Sequence, residues 1–127
     1  MRDYGKVWTD FAGRTWPVVA SARRLKFKYP AHAALRAHVH FCDGYACLRC
    51  GVKALSIPDG YSGRYAIEVD RVNPNGWRDS LVLDHILTLR AGGCNVAENL
   101  QTLCETCNRR KQREDRRAIR EYEASKP

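Results

Sequence analysis

The sequence of 127 residues has the size of one compact domain, and no segment reaches the roughly 18 consecutive apolar residues of a membrane span. Its 22 Lys and Arg residues exceed its 14 Asp and Glu residues, which gives a formal net charge of +8. This composition excludes a transmembrane helix and favours a partner that is itself a polyanion, such as a nucleic acid.

The first 30 residues are expected to form a basic, aromatic N-terminal arm or peripheral layer, followed by a domain over residues 31–127. Packing within the protein is favoured over base stacking for their aromatic side chains, Trp8, Phe11 and Trp16. Residues 18–20 predict a short strand. The N-terminus lacks the apolar run of a signal peptide, so we expect a reducing cytoplasm as the compartment.

A helix is predicted over residues 31–41, because Pro30 suits a first helical turn and Asp43-Gly44 forms a stop signal. Its histidines, His32, His38 and His40, are expected to be surface or packing residues. Residues 65–72 alternate as a strand does, and residues 81–83 are a second short apolar run. A glycine-rich loop follows at residues 90–93, and residues 105–122 have a helical, highly charged pattern.

Four of the six cysteines form two Cys-x-x-Cys pairs, a spacing suited to a tetrahedral metal ion. In a reducing compartment this pattern predicts a structural Zn²⁺ rather than disulfides, with a redox pair or a coincidental spacing of cysteines as the alternative. The expected ligands are Cys47, Cys50, Cys104 and Cys107. Cys42 and Cys94 are expected to be small buried hydrophobic residues.

Asp84 and His85 follow the second apolar run and could carry hydrolytic chemistry. An imidazole titrates near neutral pH and can activate water, while a carboxylate is a ligand for a hard divalent ion. Asn108 follows a zinc ligand and could complete the metal site from the other side. The alternatives are a structural strand-end pair for Asp84 and His85, and a helix cap for Asn108.

This ordered set of motifs resembles the HNH endonuclease family, the zinc-containing branch of the ββα-metal (His-Me finger) nucleases. The similar stretch runs from Cys47 to Lys111 and includes Gly92-Gly93 and Asn99-Leu100-Gln101. The resemblance implies an α+β fold with a small ββα-metal core, a four-cysteine structural zinc, an N-terminal basic arm and flanking helices.

The resemblance also implies the roles of the site residues. His85 corresponds to the general base, Asp84 to a metal ligand, and Asn99 to the residue that braces the loop orienting the histidine. Asn108 corresponds to the second metal ligand, where many members have histidine, so the chain is an H-N-N variant. The connection between Cys50 and Asp84 is longer than in minimal members and could be a hairpin layer or a substrate-facing flap.

The implied activity is metal-dependent hydrolysis of DNA phosphodiester bonds to 5′-phosphate and 3′-hydroxyl ends, with Zn²⁺ structural and Mg²⁺, Mn²⁺ or Ni²⁺ catalytic. A monomer would nick double-stranded DNA, and double-strand cleavage would need a dimer or partner protein. The expected setting is the cytoplasm of a bacterium or phage-infected cell, with no membrane partner. The residues expected to contact DNA phosphates are Arg109, Arg110, Lys111 and Arg113.

Two competing interpretations remain open at this point. One is a non-catalytic, zinc-stabilised module that binds nucleic acid through its arginines. The other is a nuclease subunit that works inside a larger assembly, such as a phage packaging or restriction system.

Overall fold

The computed structural model describes residues 7–20 and 23–127, and over these residues the protein has the expected α+β fold. A two-stranded antiparallel sheet comes first, and a three-stranded antiparallel sheet with the order β3-β4-β5 forms the centre. The elements in chain order are β1 (Val7–Thr9), β2 (Thr15–Pro17), α1 (Pro30–Cys42), β3 (Ile67–Val72), β4 (Arg78–His85), β5 (Leu100–Cys104) and α2 (Glu105–Ser125).

The central sheet buries one face through the alternation that the sequence predicts for residues 65–72. Ile67 and Val69 on β3 meet Leu81 on β4 on this face, while Leu103 on β5, opposite Val82, is fully buried on the other face. Strand β4 runs from residue 78 to residue 85, longer than the apolar run at residues 81–83, because β5 pairs with it as far as His85 opposite Leu100. In the ββα unit β4-β5-α2, helix α2 follows β5 directly, and Asp84 and His85 are the last two residues of β4.

Helix α1 is confirmed, with Pro30 in its first turn and its end at Asp43. Gly44 follows with a φ of 70°, a left-handed conformation that glycine adopts without steric cost. The buried face of α1 presents Leu35 and Val39 to Leu100 at the start of β5. The helix thereby covers the edge of the central sheet that carries the beginning of β5.

The predicted strand at residues 18–20 is wrong. Strand β2 ends at Pro17, which pairs with Val7, and residues 18–20 have no ladder partner among the residues described. Pro17 also lacks the N–H that would continue a ladder. The apolar character of this segment has another cause, since Val19 is buried in the same cluster as Leu35.

The N-terminal aromatic side chains pack within the protein. Trp8 lies edge-on against His38 with ring centroids 5.4 Å apart, and Phe11 stacks on Phe41 at 4.2 Å. The indole N–H of Trp16 donates to Asp10 at 2.8 Å. The expected arm also includes residues 1–6 and 21–22, which lie outside the described residues, and its separation from residues 31–127 stays a prediction.

Three further expectations have mixed outcomes. His32 and His40 are buried packing residues, in line with the prediction, but Cys42 is exposed on the last turn of α1, so its expected burial is wrong. Cys94 is half-buried in the loop after β4.

Within the described part of the chain, neither helix has the length and apolarity to cross a membrane.

Candidate metal centre and active site

The two Cys-x-x-Cys pairs meet at one point. Their four Sγ atoms all lie within 4.8 Å of one another, and three of the four residues are buried. In the first pair the chain folds back in a tight turn, in which the N–H of Gly51 donates to the carbonyl of Cys47 at 2.9 Å. In the second pair Cys104 ends β5 and is also the N-cap of α2, its Sγ accepting from the N–H of Cys107 at 3.4 Å. The spacing thus yields the cluster that the sequence predicts.

The charges around these thiols favour a shared cation. Burial and the neighbouring thiols raise the pKa of Cys107. Burial opposes ionisation of Cys50 as well, but hydrogen bonds from the backbone of Val52 and from Arg71 lower its pKa to about 6. Four sulfurs crowded this closely cannot all ionise without a compensating positive charge. Tetrahedral Zn²⁺ supplies that charge and prefers thiolate ligands, so the donor set fits this ion.

Arg71 and Asp79 support the cluster, and sequence reasoning did not identify either residue as functional. One guanidinium nitrogen of Arg71 donates to the Sγ of Cys104 at 2.6 Å and to Asp79 at 2.9 Å, while the other donates to Cys50 at 3.4 Å. Positive charge from the protein therefore reaches two of the four sulfurs. Such outer contacts orient metal ligands and typically change affinity by about 10- to 100-fold.

The Asp79 carboxylate is fully buried and fixes the start of α2. It accepts from the N–H of Glu105 at 3.1 Å and from the hydroxyl of Thr106 at 2.8 Å. Burial opposes its charge, but the bonds from Arg71 and Thr106 lower its pKa below the usual value. A signal was present in the sequence, because Asp79 shares its strand face with Leu81 and must therefore be buried.

At the end of β4, the Asp84 carboxylate receives three side chains, two of them from α2. Its Oδ1 accepts from the carboxamide of Asn108 at 3.0 Å, and its Oδ2 accepts from Gln101 at 2.9 Å. The ammonium of Lys111 lies 3.1 Å from Oδ2. The structure thus brings Asp84 and Asn108 together, as the sequence predicts.

Asn108 does not cap α2, because Cys104 is the N-cap, so that alternative is wrong. Carboxylate and carboxamide oxygens are ligands for hard divalent ions such as Mg²⁺ and Mn²⁺. Rotation of the Asn108 side chain about its terminal torsion exchanges Nδ2 for Oδ1, which places two oxygen donors together where α2 contacts β4. The donor set therefore fits the expected catalytic ion.

Lys111 differs from its three arginine neighbours. It is 3% exposed, and its ammonium donates to the carbonyl of His85 and to Asp115, both at 2.7 Å. Arg109, Arg110 and Arg113 are exposed. In this arrangement Lys111 supports the site from within the protein, and the arginines are the basic side chains available to a phosphate backbone.

His85 is held by the loop that follows β4. Its Nε2 lies 2.7 Å from the Oδ1 of Asn95, a residue that sequence reasoning did not single out. The carboxamide of Asn99 accepts from the N–H of Leu87 and donates to the carbonyls of Leu87 and Cys94, each at 2.9 Å. The Asn99 side chain thus joins the two ends of the loop that follows His85.

An open cleft of about 580 Å³ lies beside Asn108 and Arg109. Its other wall is the turn between β3 and β4, where Trp77 is 73% exposed. Asn73 holds the turn, since its side-chain oxygen accepts from the N–H groups of Asn75 and Trp77. Part of the long connection between Cys50 and Asp84 is thus a hairpin that borders the site.

A family model described as HNH endonuclease matches residues 47–114. The match covers more than half of the chain and contains both cysteine pairs, the Asp84 and His85 pair, Asn99 and Asn108. No curated protein and no solved structure gives a significant match to the chain.

Proposed function

This chain belongs to the HNH endonuclease family, and we propose that it hydrolyses phosphodiester bonds of DNA with His85 as the general base. The observation that carries the proposal is the junction of β4 and α2. There Asp84, next to His85, is in contact with Asn108, and the buried Lys111 holds both elements together. The proposed base and one proposed metal ligand thus follow each other at the end of β4, and Asn108, the other proposed ligand, lines an open cleft.

In this proposal His85 accepts a proton from the water that attacks phosphorus. General-base action of this kind contributes about 10²- to 10⁴-fold to a rate. Asp84 and Asn108 would hold the divalent ion, Mg²⁺, Mn²⁺ or Ni²⁺, through their side-chain oxygens. When bound, such an ion neutralises charge on the phosphate and on the leaving oxygen. Asn99 acts indirectly, by keeping the loop after β4 in place.

Substrate binding in this proposal depends on the exposed arginines of α2. Arg109 lines the cleft, and Arg110 and Arg113 extend the positive charge along the helix. Contacts to phosphate carry no sequence information, so they position the duplex rather than select a site. Attack by water on the side opposite the 3′-oxygen leaves 5′-phosphate and 3′-hydroxyl ends. One active site per chain cuts one strand, so nicking is the expected product of a monomer.

The test is a supercoiled-plasmid assay with zinc-loaded protein in Mg²⁺, Mn²⁺ or Ni²⁺. Wild type is expected to convert the plasmid to the nicked form, while His85→Ala and Asp84→Ala are expected to lose at least about 100-fold in rate. Asn108→Ala is expected to need more metal for the same rate. Asp59→Ala removes an exposed carboxylate from a distant loop and serves as the control, with unchanged nicking.

The competing function is a non-catalytic zinc module that binds nucleic acid. It is favoured by the same exposed arginines and does not need His85. If wild type and His85→Ala leave the plasmid equally intact in every metal, yet still retard it in a gel, the nuclease proposal is wrong and the binding module takes its place.

A further inference from the structure

Asn95 makes three hydrogen bonds from a buried position, 3% exposed, in the loop after β4. Its Nδ2 donates to the carbonyl of Ala20 at 2.9 Å and to the carbonyl of Arg23, and its Oδ1 lies 2.7 Å from the Nε2 of His85. Every polar atom of this side chain therefore has a partner, and its partners belong to two distant parts of the chain.

These contacts fix the orientation of the carboxamide. A backbone carbonyl can only accept a hydrogen bond, so the two N–H groups of Asn95 must face Ala20 and Arg23. The opposite orientation would point an oxygen at two other oxygens inside the protein and leave buried groups without partners, at a cost of about 1–3 kcal/mol each. The atom that faces His85 is therefore an oxygen, which can only accept.

The orientation of Asn95 in turn fixes the tautomer of His85. Because Oδ1 accepts, Nε2 must carry the hydrogen, and in a neutral imidazole the lone pair is then on Nδ1. Nδ1 has no hydrogen-bond partner among residues 7–20 and 23–127, and it is the ring nitrogen that can accept a proton.

We propose that Asn95 is a positioning residue that sets the tautomer and ring orientation of His85, with Nδ1 as the nitrogen that accepts the proton. The carbonyls of Ala20 and Arg23 act through Asn95, so the segment before α1 takes part in arranging the active site. The assignment of Nδ1 as a base rests on the proposed nuclease function. The tautomer itself does not, and it can be measured without any reaction.

The test is a long-range ¹H–¹⁵N spectrum of the full-length, zinc-loaded protein at about pH 8, where an ordinary imidazole is neutral. His85→Gln identifies the signal of His85 among the four histidines. Wild type is expected to show hydrogen on Nε2. Asn95→Leu keeps the size of the side chain without its polar atoms and is expected to give a mixture of both tautomers. Gln112→Leu makes the same chemical change at an exposed position of α2 and is expected to leave the signal unchanged.

The kinetics of nicking of the supercoiled plasmid provide the second readout. Asn95→Leu is expected to lower kcat by about 100-fold with little change in KM, because the misoriented base affects the reaction rather than binding. Asn95→Asp retains an oxygen that accepts from Nε2 and is expected to retain the tautomer. It is also expected to recover part of kcat, although it loses stability by facing two carbonyls.

Several outcomes would overturn the proposal. Hydrogen on Nδ1 of His85 in wild type would do so without any variant, even if Asn95→Leu failed to fold. An unchanged tautomer or an unchanged kcat in folded Asn95→Leu would do the same. If wild type has no nuclease activity in any metal but shows the expected tautomer and its loss in Asn95→Leu, the proposed function fails while the orienting role of Asn95 stands.

Discussion

Replacing Lys111 with methionine removes a buried positive charge from between two carboxylates and leaves a side chain of similar length. The ammonium lies 3.1 Å from Asp84, whose side chain is 6% exposed, and 2.7 Å from Asp115, whose side chain is 20% exposed. At an effective dielectric constant of about 20, the attraction across 3.1 Å is about 5 kcal/mol. This attraction offsets the cost of burying both charges.

Methionine leaves the buried charge of Asp84 with two carboxamide hydrogen bonds and no countercharge, and the expected loss is about 3–5 kcal/mol of unfolding free energy. Urea denaturation with excess Zn²⁺ and no other divalent ion measures it. Arg117→Met is the matched control, because Arg117 and Glu121 form an i,i+4 pair with side chains 77% and 67% exposed. That variant is expected to lose less than about 0.5 kcal/mol.

A second substitution tests the physical cause. Asp84→Asn in the Lys111→Met background removes the unpaired charge and is expected to recover part of the lost stability, as a double-mutant cycle reports. Addition of Mn²⁺ is expected to stabilise Lys111→Met more than it stabilises wild type, because the ion replaces the missing charge. A loss below about 1 kcal/mol in Lys111→Met would refute the idea that the ammonium neutralises a desolvated carboxylate.

Four more predictions concern the zinc cluster, a buried histidine and the loop after β4. Cys104→Ser is expected to abolish zinc binding, measured by elemental analysis, together with the cooperative unfolding transition. Arg71→Met is expected to weaken zinc affinity by about 10- to 100-fold in a chelator competition, since it removes positive charge beside two sulfurs. Burial lowers the pKa of His40 to about 4, so only the unfolded chain gains a proton as the pH falls below 6.5. Stability is then expected to decline by up to about 3 kcal/mol between pH 6.5 and 4, and His40→Asn is expected to flatten this decline in pH-dependent urea titrations. Gly93→Ala would put a Cβ against the carbonyl of Leu87 and is expected to displace the loop, with a fall in plasmid nicking and retained zinc content.

The elements that the sequence predicts correctly have local causes. Helix α1 follows from a proline at its start, a glycine after its end and an apolar face between them. The cluster of four cysteines follows from ligand spacing, because two Cys-x-x-Cys pairs supply the four sulfurs that a tetrahedral ion takes. The meeting of Asp84 with Asn108 follows in turn, since Asn108 comes directly after a zinc ligand on α2.

The residues that the sequence does not reveal depend on contacts between distant segments. Arg71 and Asp79 meet across the β3–β4 hairpin, and the register shift between Glu68 and Val72 that aligns them has no marker in the composition. Asn95 lies in a loop where asparagine is ordinarily a turn residue, and the two carbonyls that it binds are more than 70 residues away in the chain. Lys111 sits in a basic run, and only the packing of α2 on β4 distinguishes it from its arginine neighbours.

The position of the second cysteine pair also decides when a growing chain can complete the cysteine cluster. During synthesis Cys47 and Cys50 emerge first, and the zinc cluster stays incomplete until Cys104 and Cys107 have followed. Asn108 comes immediately after the last sulfur ligand, so a chain truncated before that point lacks part of the proposed site along with the metal that stabilises the fold. Incomplete translation products of this protein are therefore expected to be inert toward the DNA of the cell that makes them, because the cysteine cluster and the proposed active site are completed by the same short stretch of chain.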